Sequence, residues 1–347
     1  MKNKSILLAL FLLPLLSCNN HQSVYVIGKR VVSSSPKIEK VLTPVSVLDK
    51  PDLLGALGLV FATDSALVIS TNKTGYVFRV INLKDYETLD LLPVGRGPDE
   101  AVIGAFSGIR KEEGKTLLDV TALNEECLLS IDLDASIKAQ RTVVVDKENL
   151  LPESWLSFFV KKDILSMVIA DEDLYSFKLY SRDDHRIQKT EQVFGNDPFV
   201  VDFQPQFESV RRIKPDQTKL CMMMGRFDEV NILDLDGSNH LSISLAKKRR
   251  EDAKIISAML SGHELTDDVY YWNGCVTDEE IYGLYYGCSS LDMDNVRPTI
   301  RVFSWEGVLR AIYHLEEPLT SIALAEDGHT LYGLTEEEVL YRYDLRQ

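Results

Sequence analysis

The chain repeats one short pattern, an acidic or glycine-containing turn between two apolar runs, and this repeat restricts its possible folds more than any other feature. The turns are marked by Asp64, Glu113, Asp163, Asp216, Asp278 and Asp327. The intervals between these markers are 49, 50, 53, 62 and 49 residues. A nearly constant period of this length is typical of chains built from one repeated supersecondary unit.

The runs around each turn indicate β-strands. Apolar and polar residues alternate in them and β-branched and aromatic residues are frequent, as in residues 76–83 (YVFRVINL) and 299–307 (TIRVFSWEG). Most units contain four such runs. Four strands per unit, repeated radially six times, predict an all-β fold, a six-bladed β-propeller.

The two ends of the chain indicate how the ring closes. The sixth unit has three strand-like runs before the chain ends at Gln347. Residues 37–45 (KIEKVLTPV) precede the first unit and have the composition of a strand. We expect this N-terminal strand to complete the last blade, because closure removes an open sheet edge. The propeller is therefore assigned to residues 37–347.

The 62-residue interval contains a segment that departs from the strand pattern. In residues 246–263 the apolar side chains fall roughly on one helical face, and Gly262 offers a stop. We predict a helix inserted between the fourth and fifth blades. Residues 247–250 (KKRR) form a basic run in an acidic protein; a solvated face and docking to an acidic partner are both open.

The first residues indicate a targeting signal. Lys2 and Lys4 precede an apolar run, residues 6–16, which is too short to cross a bilayer as a helix but suits the core of a signal peptide. The run ends in LLSC at residues 15–18, which resembles the lipobox of bacterial lipoproteins.

The lipobox resemblance implies diacylglycerol transfer to the Cys18 thiol, cleavage after Ser17 and acylation of the new amino terminus. We therefore expect a signal peptide at residues 1–17 and a lipid-anchored tether at residues 18–36. A plain signal peptide with a chance cysteine is the alternative.

The charge of the chain limits its partners. Removing residues 1–17 changes the formal charge from −15 to −17. So acidic a chain is a poor partner for nucleic acid and is repelled by anionic headgroups, so acyl chains must provide the membrane attachment. Asn19 follows the cysteine where Asp would suggest retention in the inner membrane. We expect an outer-membrane protein that faces the periplasm, with surface exposure left open.

The four other cysteines, Cys127, Cys221, Cys275 and Cys288, are too few for a disulfide framework in a chain of 347 residues. Cys275 and Cys288 lie in one predicted hairpin whose turn near Asp278 sets Cys275 opposite Ile281 or Tyr282. We expect structural thiols; a Cys275–Cys288 bridge is the open alternative.

The lipobox, the six-unit repeat and residues 92–101 (LPVGRGPDEA) together resemble the TolB-like six-bladed β-propeller lipoproteins of Bacteroides-type bacteria. The last segment is similar to a Gly-Arg-Gly-Pro-Gly-Glu segment common in such propellers, with Asp99 in place of the last Gly. The resemblance implies a fold and a location and leaves the ligand open.

A second copy of this segment favours a structural role for it. Residues 94–99 (VGRGPD) are matched by residues 194–199 (FGNDPF), two units later. Gly and Pro suit a tight passage from an outer strand to the next inner strand. Such passages lie on a face where ligands commonly reach the channel, so Arg96, Asp99 and Glu100 are candidate ligand contacts, with Arg96 able to hold a carboxylate or phosphate.

Signals for catalysis are weak. Several six-bladed propellers are hydrolases or lactonases with a divalent cation on the axis, and such a site needs carboxylates from several inner strands. The candidates here are Asp202, Glu208 and Asn273, which are scattered. The motifs of serine hydrolases, zincins and phosphate loops are absent from the sequence. The sequence thus favours a non-enzymatic protein and predicts no cofactor.

Aromatic residues cluster at 270–272 (YYW) and 285–286 (YY). Tyr271 and Trp272 are candidate contacts for a sugar or a protein partner, and filling of the wedges between blades is the alternative. We expect a monomeric, lipid-anchored extracytoplasmic propeller that binds a ligand or a protein. A metal-dependent hydrolase or lactonase and a carbohydrate-associated accessory lipoprotein are the alternatives.

Overall fold

The computed structural model describes residues 29–32, 35–48, 53–72, 75–97, 99–168, 176–192, 209–245 and 268–347. Three short strands come first: β1 (Lys29–Val32), β2 (Ile38–Leu42) and β3 (Ser46–Leu48). The strands that follow form six sheets, which are the blades of a β-propeller. The predicted fold class is therefore confirmed.

Blades one to three are consecutive four-stranded antiparallel sheets. Their strands are β4 (Ala56–Ala62), β5 (Ala66–Thr71), β6 (Tyr76–Asn82), β7 (Thr88–Pro93), β8 (Gly104–Glu112), β9 (Lys115–Ala122), β10 (Cys127–Asp132), β11 (Val144–Asn149), β12 (Ser154–Val160), β13 (Asp163–Val168), β14 (Ser176–Ser181) and β15 (Ile187–Gln192). A short helix, α1 (Leu133–Ala139), connects β10 to β11 and is capped by the Asp132 side chain, which accepts a hydrogen bond from the N–H of Ala135.

Blades four to six follow the same order. Their strands are β16 (Ser209–Ile213), β17 (Lys219–Met224), β18 (Val230–Asp234), β19 (His240–Ser244), β20 (Asp268–Val276), β21 (Glu280–Ser289), β22 (Thr299–Ser304), β23 (Leu309–Leu315), β24 (Leu319–Leu324), β25 (Thr330–Thr335) and β26 (Leu340–Asp344). Two 3₁₀ segments, Leu123–Glu125 and Ser290–Asn295, lie in connections between strands.

The turns predicted from the repeat join the first and second strands of successive blades. Asp163 is the first residue of β13, and the other five marker residues lie within the turns. In blade two the turn is Glu113-Gly114, with φ values of 50° and 78°. Two consecutive positive φ values are those of a type I′ turn, whose twist matches that of the flanking strands.

These turns define one end of the ring, which we call the hairpin face: residues 63–65, 113–114, 161–162, 214–218, 277–279 and 325–329. The opposite end, which we call the connector face, carries the passages from the outer strand of one blade to the inner strand of the next, such as residues 94–103. Every inner strand runs from the connector face to the hairpin face.

The hydrophobic core is divided among the interfaces between blades. The buried side chains form six clusters in the described part of the chain, and each cluster joins two neighbouring blades, including blades six and one. Strand β17 shows how the alternation serves both sides: Leu220, Met222 and Met224 face blade three, whereas Cys221 and Met223 face blade five. Successive residues of this strand thus alternate between the two faces of the sheet, and both faces are buried against neighbouring blades.

Closure by an N-terminal strand is confirmed, but residues 37–45 do not supply it. The fourth strand of blade six is β3, which pairs antiparallel with β26. Strand β2 instead pairs parallel with β23 and adds a fifth strand to blade five. Strand β1 likewise pairs parallel with β19 of blade four, so part of the predicted tether lies in a sheet. Both segments cover outer edges that would otherwise be open.

Several predictions fall on residues outside the described ranges: the signal peptide, Cys18, the 194–199 segment, Asp202, Glu208 and the helix at 246–263. The remaining four cysteines are all free thiols. Cys275 is opposite Tyr282, as predicted, and Cys288 is opposite Val269. Within the described ranges, no helix has the length and apolarity needed to cross a bilayer.

Candidate functional site

A cavity of about 700 Å³ lies where the inner strands of five blades converge. Its wall contains residues from β4, β8, β16, β20 and β24 and from the turns that follow the last three of these strands. The turn residues in this wall include Asp216, Asp278 and Glu279, which are exposed. The cavity therefore opens at the hairpin face. Its volume is within the range of pockets that hold small organic molecules.

The mouth of the cavity is acidic because turns of three blades contribute carboxylates to it, including the repeat markers Asp216 and Asp278. Of the described residues, five carboxylates and two cations belong to the wall. The cations are Lys111 and Arg212, and the acids are Asp216, Asp278, Glu279, Glu280 and Glu326.

Three of these carboxylates have polar partners within the protein. Glu326 pairs with Lys111 at 2.9 Å, Asp216 pairs with Lys214, and Glu280 accepts a 2.7 Å hydrogen bond from the hydroxyl of Tyr282. No ion pair engages Asp278 or Glu279 within the described residues. The mouth thus has two carboxylates that no cation of the described residues balances.

Arg212 lies deeper, on the inner strand of blade four. Its Nε donates to the carbonyl of Gly274 at 2.9 Å, and its Nη1 donates to the carbonyl of Arg211 at 2.8 Å. The guanidinium also lies 5.1 Å from the ring centroid of Phe106, on blade two. Contacts with three blades hold the group in one position.

The charge of Arg212 has no counter-ion in the described part of the chain, where its partners are neutral carbonyls and an aromatic ring. Burial lowers the pKa of Arg212 from its ordinary value, but a guanidinium stays protonated at neutral pH. A partly buried cation without a carboxylate partner is costly, which an anionic ligand would offset.

Two further wall residues shape the chemistry of the cavity. Burial raises the pKa of the Cys275 thiol to about 12, so this cysteine is protonated and weakly nucleophilic at neutral pH. Gly108 has no side chain, and a Cβ built there would meet no atom within 4 Å. Gly108 therefore contributes open space, and a larger side chain at this position would enter the cavity.

The candidates from the repeated passage lie at the other end of the ring. Arg96 and Asp99 are exposed on the connector face, and neither belongs to the cavity wall. Glu100 is turned into its own loop, where its Oε2 accepts a 2.7 Å hydrogen bond from the N–H of Gly97. A Cβ on Gly95 would lie 2.0 Å from the same oxygen. The glycines of this segment thus make room for the Glu100 carboxylate.

The two aromatic candidates, Tyr271 and Trp272, differ in burial although both lie on β20. Tyr271 is 2% exposed and packs edge-on against Tyr285, with ring centroids 5.2 Å apart. Arg301 lies over the Tyr285 ring and forms a 2.6 Å ion pair with Asp228 of blade four. Tyr271 therefore belongs to the interface between blades four and five.

Trp272, the next residue, is 50% exposed. Neither Tyr271 nor Trp272 lines the cavity.

Asn273, the described member of the proposed metal set, ties two inner strands together. Its side-chain oxygen accepts a 3.0 Å hydrogen bond from the N–H of Ile322 on β24. In the described ranges no group of three His, Cys, Asp or Glu residues has the geometry of a metal site.

The residue that sequence reasoning missed is Arg212. One signal was present: residues 207–214 (FESVRRIK) place two arginines in an inner strand, where the other blades mostly have apolar or small residues. The charge pattern alone does not tell which arginine lies in the channel, because this depends on the direction of the pleat.

The comparisons with known proteins show the fold. No protein-family model and no curated protein matches the sequence. Among solved structures, a member of the DUF4221 family from Bacteroides vulgatus ATCC 8482 matches with a TM-score of 0.53 at 10% identity, over 88% of this chain and 95% of that one.

A candidate exported protein of Bacteroides fragilis NCTC 9343 matches with a TM-score of 0.50 at 12% identity, over 88% of this chain and 98% of that one. At these identities the likeness shows a shared six-bladed propeller fold alone.

Proposed function

We propose that the protein is a binding module that takes a small molecule into its central cavity from the hairpin face. The observation that carries this proposal is a cavity of about 700 Å³ whose wall holds a fixed guanidinium, that of Arg212, with no counter-ion among the described residues. Rigid blades surround the cavity, so little ordering is needed when a ligand binds.

A cavity-filling variant tests this function. Gly108→Trp places a large side chain in the cavity, while the matched control Gly108→Ala adds one methyl group at the same position. The probe is a fragment library with equal parts of neutral, cationic, anionic and zwitterionic molecules, screened by ligand-observed NMR. We expect fragments that bind the wild-type protein and Gly108→Ala but not Gly108→Trp. Equal binding by all three proteins, or no binding by any, would refute the proposal.

We further propose that the propeller is a lipid-anchored extracytoplasmic protein of the outer membrane, facing the periplasm. The lipobox-like residues 15–18 and the resemblance to TolB-like propeller lipoproteins support this location. Ten residues separate Cys18 from Lys29, the first residue of β1, so the anchor lies within about 40 Å of blade four.

The direction of β1 supports an attachment near the cavity mouth. Strand β1 is parallel to β19, and β19 runs from the hairpin face to the connector face. Lys29 therefore meets the ring at the end where the cavity opens.

Cell fractionation tests the anchor. The wild-type protein should partition into detergent and incorporate labelled palmitate, and Cys18→Ser should do neither, whereas Cys288→Ser should behave as wild type. Labelling that persists in Cys18→Ser would overturn the proposed anchor.

A further inference from the structure

The hydrogen bonds of Arg212 to described residues do not use the N–H donors with which a guanidinium commonly binds anions. A guanidinium carries five N–H donors, and the two hydrogen bonds to Gly274 and Arg211 use one on Nε and one on Nη1. Both Nη2 donors and the second Nη1 donor have no hydrogen-bond partner in the part of the chain that the structure describes, and Nη1 and Nη2 together form a fork that can bind a carboxylate with two parallel hydrogen bonds.

The position of this fork is already fixed. The Gly274 carbonyl belongs to blade five and Phe106 to blade two, so the guanidinium is held from two sides of the channel. An arginine fixed in this way loses little side-chain entropy when an anion arrives.

The rest of the wall limits which anions fit. Five carboxylates and two cations belong to the wall, and Asp278 and Glu279 at the mouth have no cationic partner among the described residues. A multiply charged anion such as a phosphate ester would gain Arg212 but would be repelled at the mouth. A neutral sugar would leave the guanidinium uncompensated. A molecule with one carboxylate and a positive charge some distance away satisfies both regions.

We propose that the ligand is a zwitterion of the amino-acid type, either a free amino acid or a short peptide. This proposal rests on the cavity-binding function proposed above. Its carboxylate binds the free fork of Arg212, and its ammonium or basic side chain faces Asp278 and Glu279. A cavity of about 700 Å³ accommodates a short peptide as well as a single amino acid.

Paired peptide libraries test this ligand class. The probes are mixed tripeptides with free C-terminal carboxylates, the same tripeptides as C-terminal amides, and a mixture of the free amino acids. Ligands retained by the full-length protein are identified by mass spectrometry, and their affinities are measured by calorimetry. We expect retained ligands with free carboxylates, and a loss of affinity of about tenfold or more in the matched amide. Binding of the free amino acids would show that a ligand of one residue is long enough to bind.

Variants assign the effect to Arg212. Arg212→Gln should abolish the preference for acid over amide, and Arg212→Lys should retain it in weakened form because a lysine cannot form the bidentate pair. The matched control Arg186→Gln removes an exposed arginine of blade three that lies outside the cavity wall, and it should leave the preference intact.

The wild-type comparison of acid with amide does not depend on how the variants fold. Equal retention of acids and amides, or retention of neither, overturns the inference about the ligand. If Gly108→Trp still abolishes fragment binding in either case, the cavity function stands and only the ligand class is wrong.

Discussion

The side-chain oxygen of Asn273 accepts a hydrogen bond of 3.0 Å from the backbone N–H of Ile322. The two residues belong to the inner strands of blades five and six, which are not paired by a β-ladder. Ser321 makes the next connection, since its Oγ accepts a 2.8 Å hydrogen bond from the N–H of Leu59 in blade one. Single polar side chains thus join the inner strands around the cavity.

Asn273→Ala should lower the free energy of unfolding by about 1–2 kcal/mol, because the N–H of Ile322 loses its partner inside the ring. Urea denaturation measures the change. Asp278→Ala is the control: it removes an exposed turn carboxylate on the same β-hairpin and should change stability by less than about 0.5 kcal/mol. Equal effects of the two substitutions would contradict a role for the Asn273 hydrogen bond.

Two truncations should separate the roles of the N-terminal strands. A chain that begins at residue 43 lacks β1 and β2 but keeps β3, and it should still unfold cooperatively. A chain that begins at residue 49 lacks the outer strand of blade six, including Leu48, which packs against the cluster between blades six and one. We expect the second chain to lose at least about 3 kcal/mol more than the first, measured by calorimetry. Equal stability would show that β3 is not the closing strand.

Asp119 predicts a pH dependence of stability. This carboxylate is 2% exposed, and burial raises its pKa to about 6 although Arg110 lies 2.7 Å away and Ser130 donates a hydrogen bond to it. The ordinary pKa of Asp is about 3.9, so the unfolded chain releases this proton at lower pH than the folded protein does. Stability therefore falls as the pH rises from about 4 to about 6, by an amount on the order of 2–3 kcal/mol, and levels off above.

Urea midpoints between pH 4 and pH 7.5 test this dependence in the wild-type protein and in Asp119→Asn. The other titrating groups are common to both proteins, so the difference between the two curves isolates Asp119. We expect the wild-type curve to fall more steeply over this range, and parallel curves would refute the raised pKa.

The loop around Glu100 predicts a coupling between two substitutions. Gly95→Ala places a methyl group 2.0 Å from the Glu100 carboxylate, so it should cost about 1–3 kcal/mol. In a Glu100→Ala background the clash is gone and the same substitution should cost less, with a coupling energy of about 1 kcal/mol or more. A double-mutant cycle by chemical denaturation measures this coupling. Additive effects would show that the two residues do not contact each other.

The repeat predicted the blades well because it depends on local chemistry. Turns such as Glu113-Gly114 and alternating runs such as β17 are encoded within a few residues, and each unit repeats the same order of strand, turn and strand. The closing strand was harder to locate, since residues 38–42 and 46–48 both have strand composition. Which of them pairs with β26 depends on the path of the chain around the outer edges of blades five and six.

The candidate site was predicted less well than the fold. Arg96 and Asp99 were chosen because they lie in a conspicuous motif, yet that motif lies on the connector face, and Glu100 serves its own loop. Arg212 lies in no motif. Its role follows from contacts with Phe106 and Gly274, which are 106 and 62 residues away in the sequence.

The sequence by itself determined the number of blades, the positions of the turns and the acidity of those turns, because period, alternation and turn chemistry are local. Only the tertiary structure decided which of these turns lie next to one another at the mouth of the cavity. The arrangement of blades in the ring brings Asp216, Asp278 and Glu326, from the turns of blades four, five and six, to one face, where they belong to the wall of a cavity that also contains Arg212. Their combined charge therefore depends on the geometry of the closed ring, and no single repeat unit contains it.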